Sequence, residues 1–204
     1  MNDKNRIYIS RHLERIDLVK DINGNNNKWK DIDSLKKEHK HNPYLCERNS
    51  YKKLIKNIKD KNIDIIITSP FLRCMLTAQI AFNYINKMDN NKIKNILVDY
   101  GLSEWNDSIY VNEDILDTSK IFRYSKNYYK INSKNFKLFR DKYKYIKNEY
   151  DKRMYMKRIV ETLNNINKTF KGKNILIITH GHSLKYGNII TMGKYFNNYR
   201  YLIK

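Results

Sequence analysis

The stretch that decides the fold is Ile7-Tyr8-Ile9-Ser10-Arg11-His12-Leu13-Glu14-Arg15-Ile16-Asp17. Its first part, from Arg6 to Ile9, alternates and is rich in β-branched residues, which predicts a short strand near the N-terminus. Two arginines, a histidine and two carboxylates follow within seven residues. Because ligands in open α/β sheets bind at the carboxyl ends of strands, a strand that ends in Arg-His is well placed for anion chemistry.

A second predicted strand ends in the same way. Residues 174–179 read NILIIT, and His180-Gly181-His182-Ser183 follows directly. Either strand-end histidine alone could be an ordinary structural residue. Two buried strands that each end in histidine instead favour one shared site at the carboxyl edge of a sheet.

The rest of the chain alternates between strands and helices. We predict further strands at 62–69 and 95–98, and helices that open at Pro43, run from Pro70 to about Met88, and cover 148–170. This alternation is typical of a mostly parallel α/β sheet with helices on both faces, a three-layer α/β/α sandwich. The chain has no internal repeat and no linker rich in Pro, Gly or Ser, so residues 1–204 are expected to form one domain.

Residues 106–147 have no clear periodicity. They are rich in Tyr, Phe and Lys and lie between core strands, so we expect an inserted cap whose amphipathic helices line a substrate pocket. The alternative for such interleaved basic and aromatic residues is single-stranded nucleic acid binding.

The chain is strongly basic, with 41 Lys and Arg residues against 21 Asp and Glu and a formal net charge of +20. Such an excess can indicate a nucleic-acid or membrane surface. Most of it is Lys, however, and Lys, Asn, Ile and Tyr are abundant together throughout, a pattern typical of an A/T-rich genome. We therefore expect neither a nucleic-acid nor a membrane partner, although the field would still attract an anionic substrate.

Cysteine usage and hydropathy predict the compartment. Cys46 and Cys74 have neither a metal-ligand spacing nor a disulfide framework, which favours a reducing compartment. No apolar run approaches membrane-spanning length and residues 1–10 lack the apolar region of a signal peptide, so a cytoplasmic location is expected. His39 and His41 lie in a polar segment and are interpreted as loop residues, not metal ligands.

The chemistry-bearing residues collect at the predicted strand ends. They are Arg11 and His12, Ser69 with Arg73 one turn further on, Glu104, and His180. No Cys/His/Asp cluster with metal spacing and no Gly-rich phosphate loop accompanies them. Guanidinium forks, a candidate nucleophile and a candidate acid best suit a phosphoryl group.

Three motifs resemble the histidine phosphatase superfamily, which has the phosphoglycerate mutase-like fold. They are Arg11-His12, Ser69-Pro70-Phe71-Leu72-Arg73 with Thr77-Ala78, and Thr179-His180-Gly181-His182-Ser183. Residues 42–49 (NPYLCERN) are similar to the helix-opening PLTERG of that family. The motifs occur in the family's order along the chain.

The resemblance implies a role for each site residue. His12 would be the nucleophile that forms a phosphohistidine. Arg11, Arg73 and His180, joined by Arg15, would surround the phosphoryl oxygens. Glu104 would protonate the leaving oxygen and then activate water, for which a raised pKa would help. Because the arginines supply the positive charge, no metal and no cofactor is implied.

The resemblance also favours one subgroup. Arg11-His12-x-Glu14-Arg15-x-Asp17 and Gly101-Leu102-x-Glu104-Trp105 are most similar to the phosphatase domain of the suppressors of T-cell receptor signalling, which implies a phosphatase before a mutase. The expected partner is a phosphorylated small molecule or a phosphoprotein, and a homodimer is compatible with the sequence. The alternatives are a phosphoglycerate mutase and an inactive basic binding protein of this fold.

Leu13 departs from the family pattern, which usually has glycine after the nucleophilic histidine. If the position needs a positive φ, leucine is strained there. On that assumption we predict a sluggish enzyme that Leu13→Gly would accelerate.

Overall fold

The computed structural model describes residues 5–15, 45, 51–90, 92–105, 131–144, 149, 151–187, 195–196 and 199–203, and for 185–187, 195–196 and 199–203 it describes the backbone alone. The predictions that concern the helix opening at Pro43, the cysteine at 46, His39, His41 and residues 106–130 lie outside these ranges.

A seven-stranded sheet forms the middle layer, in the order β4-β3-β2-β5-β1-β7-β6. The first five strands of the chain pair in parallel, while β7 runs antiparallel to β1 and β6 antiparallel to β7. The strands are β1 (Arg6–Arg11), β2 (Ile65–Thr68), β3 (Ile96–Asp99), β4 (Phe136–Arg140), β5 (Asn174–Thr179), β6 (Tyr195–Phe196) and β7 (Tyr199–Ile203). The predicted mostly parallel sheet is confirmed.

Helices cover both faces of the sheet. They are α1 (Tyr51–Ile58) and α2 (Leu72–Met88) on one face, and α3 (Lys152–Thr169) and α4 (Gly181–Gly187) on the other. Alternate residues of a strand point to opposite faces, so in β5 Leu176 packs with α1 and α2 while Ile177 packs with α3. This arrangement confirms the three-layer α/β/α prediction and explains why β5 is apolar on both sides.

Two of the predicted helices are present and begin two to four residues later than expected. Pro70 precedes α2, which runs to Met88 as expected. Asp151 caps α3, its side chain accepting a hydrogen bond from the Arg153 backbone N–H at 2.9 Å. The long helix predicted over 148–170 is therefore confirmed with a start a few residues later.

The range predicted as a cap contributes to the sheet. Phe136–Arg140, within 106–147, is the edge strand β4 and pairs in parallel with β3. The cap interpretation is wrong for residues 136–140. Because β4 lies at the edge of the sheet and is only half-buried, its sequence contains Lys and lacks the continuous apolar run that would have identified a strand. The predicted amphipathic helices of the cap lie outside the described residues.

The register of the central strands places their ends side by side. Arg11 of β1 pairs with Thr179 of β5, and the His12 backbone N–H donates to the Thr179 carbonyl at 2.9 Å. On the other side of β5, the Ser69 N–H donates to the Ile178 carbonyl at 3.0 Å. The residues that follow β1, β2 and β5 therefore meet at one edge of the sheet.

A close approach of α3 to the segment after β3 requires a glycine. A Cβ on Gly101 would lie 2.9 Å from Cγ2 of Thr162 and 3.0 Å from Oδ1 of Asp99. Only glycine lets the 3₁₀ turn Tyr100–Leu102 pack so tightly against the helix.

Among the described helices, none combines the length and the apolar composition needed to cross a bilayer.

Candidate active site

His12 presents a neutral ring with one defined free nitrogen. The side chain is 6% exposed, and Nδ1 lies 2.7 Å from the Leu13 carbonyl oxygen. A carbonyl only accepts, so Nδ1 carries the proton and Nε2 keeps its lone pair. Burial, with the charges of Arg73 and His180 next, holds the His12 pKa well below its usual range. The nucleophilic form is therefore the stable one at neutral pH.

His180 lies opposite, at the end of β5, and is fully buried. Its ring meets that of His12 edge-on, with centroids 5.5 Å apart. Nε2 lies 2.9 Å from Oγ of Ser69, whereas Nδ1 lies 3.2 Å from Nη2 of Arg73 and 3.1 Å from Oε2 of Glu104. Burial lowers the pKa of His180 to about 4, against the opposing effect of Glu104. The ring is therefore neutral near pH 7.

Arg73 enters from the first turn of α2 and is 2% exposed. Nη2 donates to Oε2 of Glu104 at 3.4 Å, and the guanidinium lies 4.6 Å from the centroid of the Phe71 ring. Nε and Nη1 are buried without any hydrogen-bond partner in the described part of the chain. Leaving buried donors of a charged group unpaired costs several kcal/mol unless a ligand accepts from them. Two open donors beside His12 therefore indicate an anion pocket.

Glu104 follows the 3₁₀ turn after β3 and faces His180 and His182. Oε2 contacts Arg73 and His180, and Oε1 lies 3.2 Å from Nδ1 of His182. Burial raises the pKa of this carboxyl, but His180, the hydrogen bond to His182 and Arg73 together outweigh it and hold the pKa well below its usual range. The expected raised pKa is wrong: these contacts keep Glu104 ionised.

Arg11 and Arg15, the other two arginines predicted to bind the phosphoryl group, lie closer to the rim of the pocket. Arg11 is exposed, and its guanidinium packs against Gly181, with Nε 3.5 Å from the position that a Cβ there would occupy. Arg15 is half-buried and forms an isolated β-bridge with Leu45. Burial is the main cause that lowers the pKa of Arg73, and the charge of Arg15 adds to it, which places Arg15 near the pocket.

Leu13 holds an ordinary backbone conformation. In the described residues, positive φ outside glycine occurs only at Asn62 and Asn90. The Leu13 N–H donates to Oγ1 of Thr77 at 3.0 Å, and its side chain packs partly buried against the core beneath α2. The strain predicted for this position is therefore wrong. Leucine anchors the loop that carries His12.

Sequence reasoning missed a second buried arginine behind the site. Arg158 of α3 binds Glu149 through Nε and Nη2, each at 2.6 Å. It also donates to the carbonyls of Gly101 at 2.8 Å, Ser103 at 3.1 Å and Glu104 at 3.3 Å. These bonds fix the segment that carries the Glu104 carboxyl. The available signal was an arginine on an otherwise apolar helix face in a chain where arginine is scarce.

Ser183 and His182, which end the second histidine motif, make different contacts. Ser183 lies inside α4 and bonds to the Tyr155 hydroxyl at 2.6 Å and to Oγ1 of Thr179 at 3.0 Å, so it supports the site from below. His182 instead contacts Glu104 directly.

Within the described ranges, no group of three or more His, Cys, Asp or Glu side chains could hold a metal ion.

A protein-family model matches most of the chain. Residues 47–202 match the model of the Histidine phosphatase superfamily (branch 1), a span that contains Arg73, Glu104 and His180 and begins after His12. No curated protein matches the chain.

Two similar solved structures are of phosphoserine phosphatase from Entamoeba histolytica, one in complex with 3-phosphoglyceric acid and one a mutant in complex with phosphoserine. Each is 16% identical to this chain, and each match covers 91% of this chain and 78% of the phosphatase chain. The TM-scores are 0.46 and 0.47. At this distance neither neighbour informs the function of this chain.

Proposed function

This chain belongs to the histidine phosphatase superfamily, and from that premise we propose that it hydrolyses phosphomonoesters through a phosphohistidine on His12. The observation that carries the proposal is the pair of buried, unpartnered donors of Arg73, Nε and Nη1, beside a neutral His12. A phosphoryl group has the charge and the acceptor oxygens that such a fork requires.

The first step transfers the phosphoryl group to the protein. The lone pair of His12 Nε2 attacks phosphorus in line, forming the N–P bond while the P–O ester bond breaks. Arg73, with Arg11 and Arg15 at the rim, stabilises the charge on the equatorial oxygens. Neutral His180, held by Ser69, lies beside the same oxygens. Glu104 gives its proton to the departing alkoxide.

Substrate binding must supply the proton state that this step requires. His180, His182 and Arg73 hold the Glu104 pKa well below its usual range. A dianionic phosphate placed on Arg73 compensates that cation and adds negative charge near the carboxylate, and both effects raise the carboxyl pKa. Glu104 is therefore expected to become a competent acid only when the pocket is filled.

The second step regenerates the enzyme. Glu104, now ionised, takes a proton from water, and the water oxygen attacks phosphorus as the N–P bond breaks. The electron pair returns to His12 Nε2 and inorganic phosphate leaves. The proton that Glu104 gave in the first step is replaced in the second, so the cycle balances.

Several finer points are part of the proposal. The substrate is a phosphorylated small molecule or a phosphoprotein, the location is cytoplasmic, and the subgroup is that of the suppressors of T-cell receptor signalling.

A mutase would need a retained bisphosphorylated intermediate and a second anion site. No sequence motif indicates one, so conversion of 3- to 2-phosphoglycerate should be negligible beside hydrolysis. Turnover comparable to hydrolysis would favour the mutase.

A trapping experiment tests the nucleophile. The protein is incubated with a reactive phosphodonor, quenched and kept alkaline, and the phosphorylated residue is identified by peptide mass spectrometry. We expect phosphate on His12, para-nitrophenyl phosphate hydrolysis by the wild type, and loss of both in His12→Ala. Ser10→Ala, which changes a buried residue of β1 two positions before His12, is the matched control and should retain both.

Label on His180 would reverse the assignment of the two histidines. Absence of both label and turnover in the wild type would favour the inactive binding protein.

A further inference from the structure

The two oxygens of the Glu104 carboxylate have different surroundings. Oε2 points into the pocket, where Arg73 and His180 hold it. Oε1 points to the rim, where Nδ1 of His182 lies 3.2 Å away on a side chain that is 55% exposed. The carboxylate is therefore anchored at one oxygen by the phosphate-binding groups and at the other by a residue outside them.

His182 is itself held in place. Its ring meets Trp105 edge-on, with centroids 6.0 Å apart and planes at 83°. Trp105 in turn stacks on Tyr155 and donates from Nε1 to the Glu149 carbonyl at 3.0 Å. An exposed histidine fixed against a buttressed tryptophan can orient its partner, because less side-chain freedom remains to be lost when the hydrogen bond forms.

Histidine suits a carboxyl group that changes protonation state. A neutral imidazole with its proton on Nδ1 donates to a carboxylate oxygen, and it can donate to the same oxygen of the carboxylic acid, which keeps a lone pair beside its O–H. Glu104 alternates between these two forms in the proposed cycle. The same contact can therefore persist through both half-reactions.

The charged and titratable groups around this pair come from four elements of the described chain. They are Arg11 from β1, Arg73 from α2, Tyr155 and Arg158 from α3, and His180 after β5. Arg73 and His180 meet Oε2, while Arg158 bonds to the Glu104 backbone carbonyl. Oε1 accepts a hydrogen bond from the backbone N–H of the next residue, Trp105, at 3.4 Å, and among the side chains of the described residues His182 alone lies within hydrogen-bond distance of it.

We propose that His182 is a positioning residue that holds Oε1 of Glu104 toward the leaving-group oxygen, so that Oε1 is the oxygen that gives and receives the proton. This inference rests on the proposed function of Glu104. Oε2 is unsuited to the proton transfer, because Arg73 and His180 occupy it inside the phosphate pocket. Oε1 lies on the solvent side, where the alcohol departs.

The test compares His182→Ala and His182→Asn in the wild type and in a Glu104→Ala background. Asparagine places an amide near the Nδ1 position and can also donate or accept. On glycerol 2-phosphate, His182→Ala should lower kcat roughly tenfold, a part of the about 10²–10⁴-fold that general acid catalysis supplies. KM should change by less than about twofold, and His182→Asn should recover most of the rate.

Two further readouts exclude a merely structural role. With para-nitrophenyl phosphate, whose leaving group hardly needs a proton, phosphohistidine formation should be nearly unaffected by His182→Ala. In the Glu104→Ala background, His182→Ala should have no further effect on glycerol 2-phosphate hydrolysis. An equal loss with and without Glu104, or an unchanged rate in His182→Ala, would overturn the proposal.

A nuclear magnetic resonance arm keeps this inference separate from the proposed function. The ¹⁵N shift of His182 Nδ1 should change in Glu104→Ala whether or not the protein turns over substrate. If the wild type is inactive but the shift changes, the proposed function fails and the contact stands. An unchanged shift overturns the positioning role even in an active enzyme.

Discussion

Two buried arginines on opposite faces of the sheet use their donors in different ways. Arg158 of α3 places every guanidinium nitrogen on an acceptor: Glu149 twice and three backbone carbonyls. Arg73 of α2 is buried to the same degree, yet Nε and Nη1 have no partner among the described residues. Both lie over an aromatic ring, so their apolar surroundings are alike.

The difference separates a structural ion pair from a binding site. A buried charge is tolerated when its donors are satisfied, and Arg158 meets that condition within the protein. Arg73 meets it only when an anion fills the pocket. The hydrogen-bond count of a buried arginine therefore distinguishes support of the fold from recognition of a ligand.

The largest expected effect is on catalysis at Arg73. Arg73→Met should lower kcat/KM on para-nitrophenyl phosphate by about 10³–10⁵-fold, the range for an arginine that stabilises a phosphoryl transition state. The free energy of unfolding should change by less than about 1 kcal/mol, because two unpaired donors are removed. Steady-state kinetics and urea denaturation measure the two quantities.

Arg73→Lys serves as the control for charge alone. It keeps the cation without the fork and should recover only a small part of the rate. Full recovery in Arg73→Lys would mean that the open guanidinium donors are irrelevant to the reaction.

The next effect is on stability at Arg158. Arg158→Met should lower the free energy of unfolding by about 3–5 kcal/mol, because Glu149 is left charged and buried. Replacing both partners, Arg158→Met with Glu149→Leu, should recover most of that loss. Urea denaturation measures the free energy of unfolding of both variants. If that of Arg158→Met alone lay within about 1 kcal/mol of the wild type, the structural role would be contradicted.

A smaller effect is expected at Leu13, which supports the Arg73 side of the pocket. Leu13→Gly removes a partly buried side chain from the core beneath α2, so unfolding should become easier by about 1–3 kcal/mol. The loop that carries His12 loses its anchor, so kcat should fall. Leu13→Met, of similar volume, is the control and should cost less than about 1.5 kcal/mol. A faster Leu13→Gly enzyme would restore the strain hypothesis.

The two buried histidines predict how stability depends on pH. Both have pKa values below 6.5 in the folded protein, that of His180 at about 4. Below pH 6.5 the unfolded chain therefore binds more protons, and the free energy of unfolding falls as the pH falls. Each histidine contributes at most about 1.4 kcal/mol per pH unit.

The useful window runs from pH 6.5 down to about 5.5, because Glu104 is almost fully ionised in both states there. Urea denaturation at several pH values measures the slope, which should be smaller in His12→Gln. An equal slope in that variant would mean that His12 is not held neutral by the fold.

The sequence predicts most of the fold and the residues at the strand ends because both follow local patterns. Apolar runs identify β2 and β5, and His12 and His180 directly follow strands whose register places them together. Contacts distant in sequence escaped, such as the bond from Arg158 to Gly101, 57 positions apart. The direction of the Glu104 pKa shift also escaped, since it depends on the charge and the hydrogen-bond partners that His180, His182 and Arg73 bring to the carboxyl group.

Ligand-linked stability tests the central claim most directly. The free energy of unfolding is measured with saturating inorganic phosphate and with sodium chloride at the same ionic strength. At 100 times the dissociation constant, phosphate should stabilise the wild type by about 2.7 kcal/mol. Arg153→Met, which removes an arginine with a 91% exposed side chain, controls for the lost charge and should keep this gain. Arg73→Met should lose most of it. Equal stabilisation of Arg73→Met and the wild type would contradict the account.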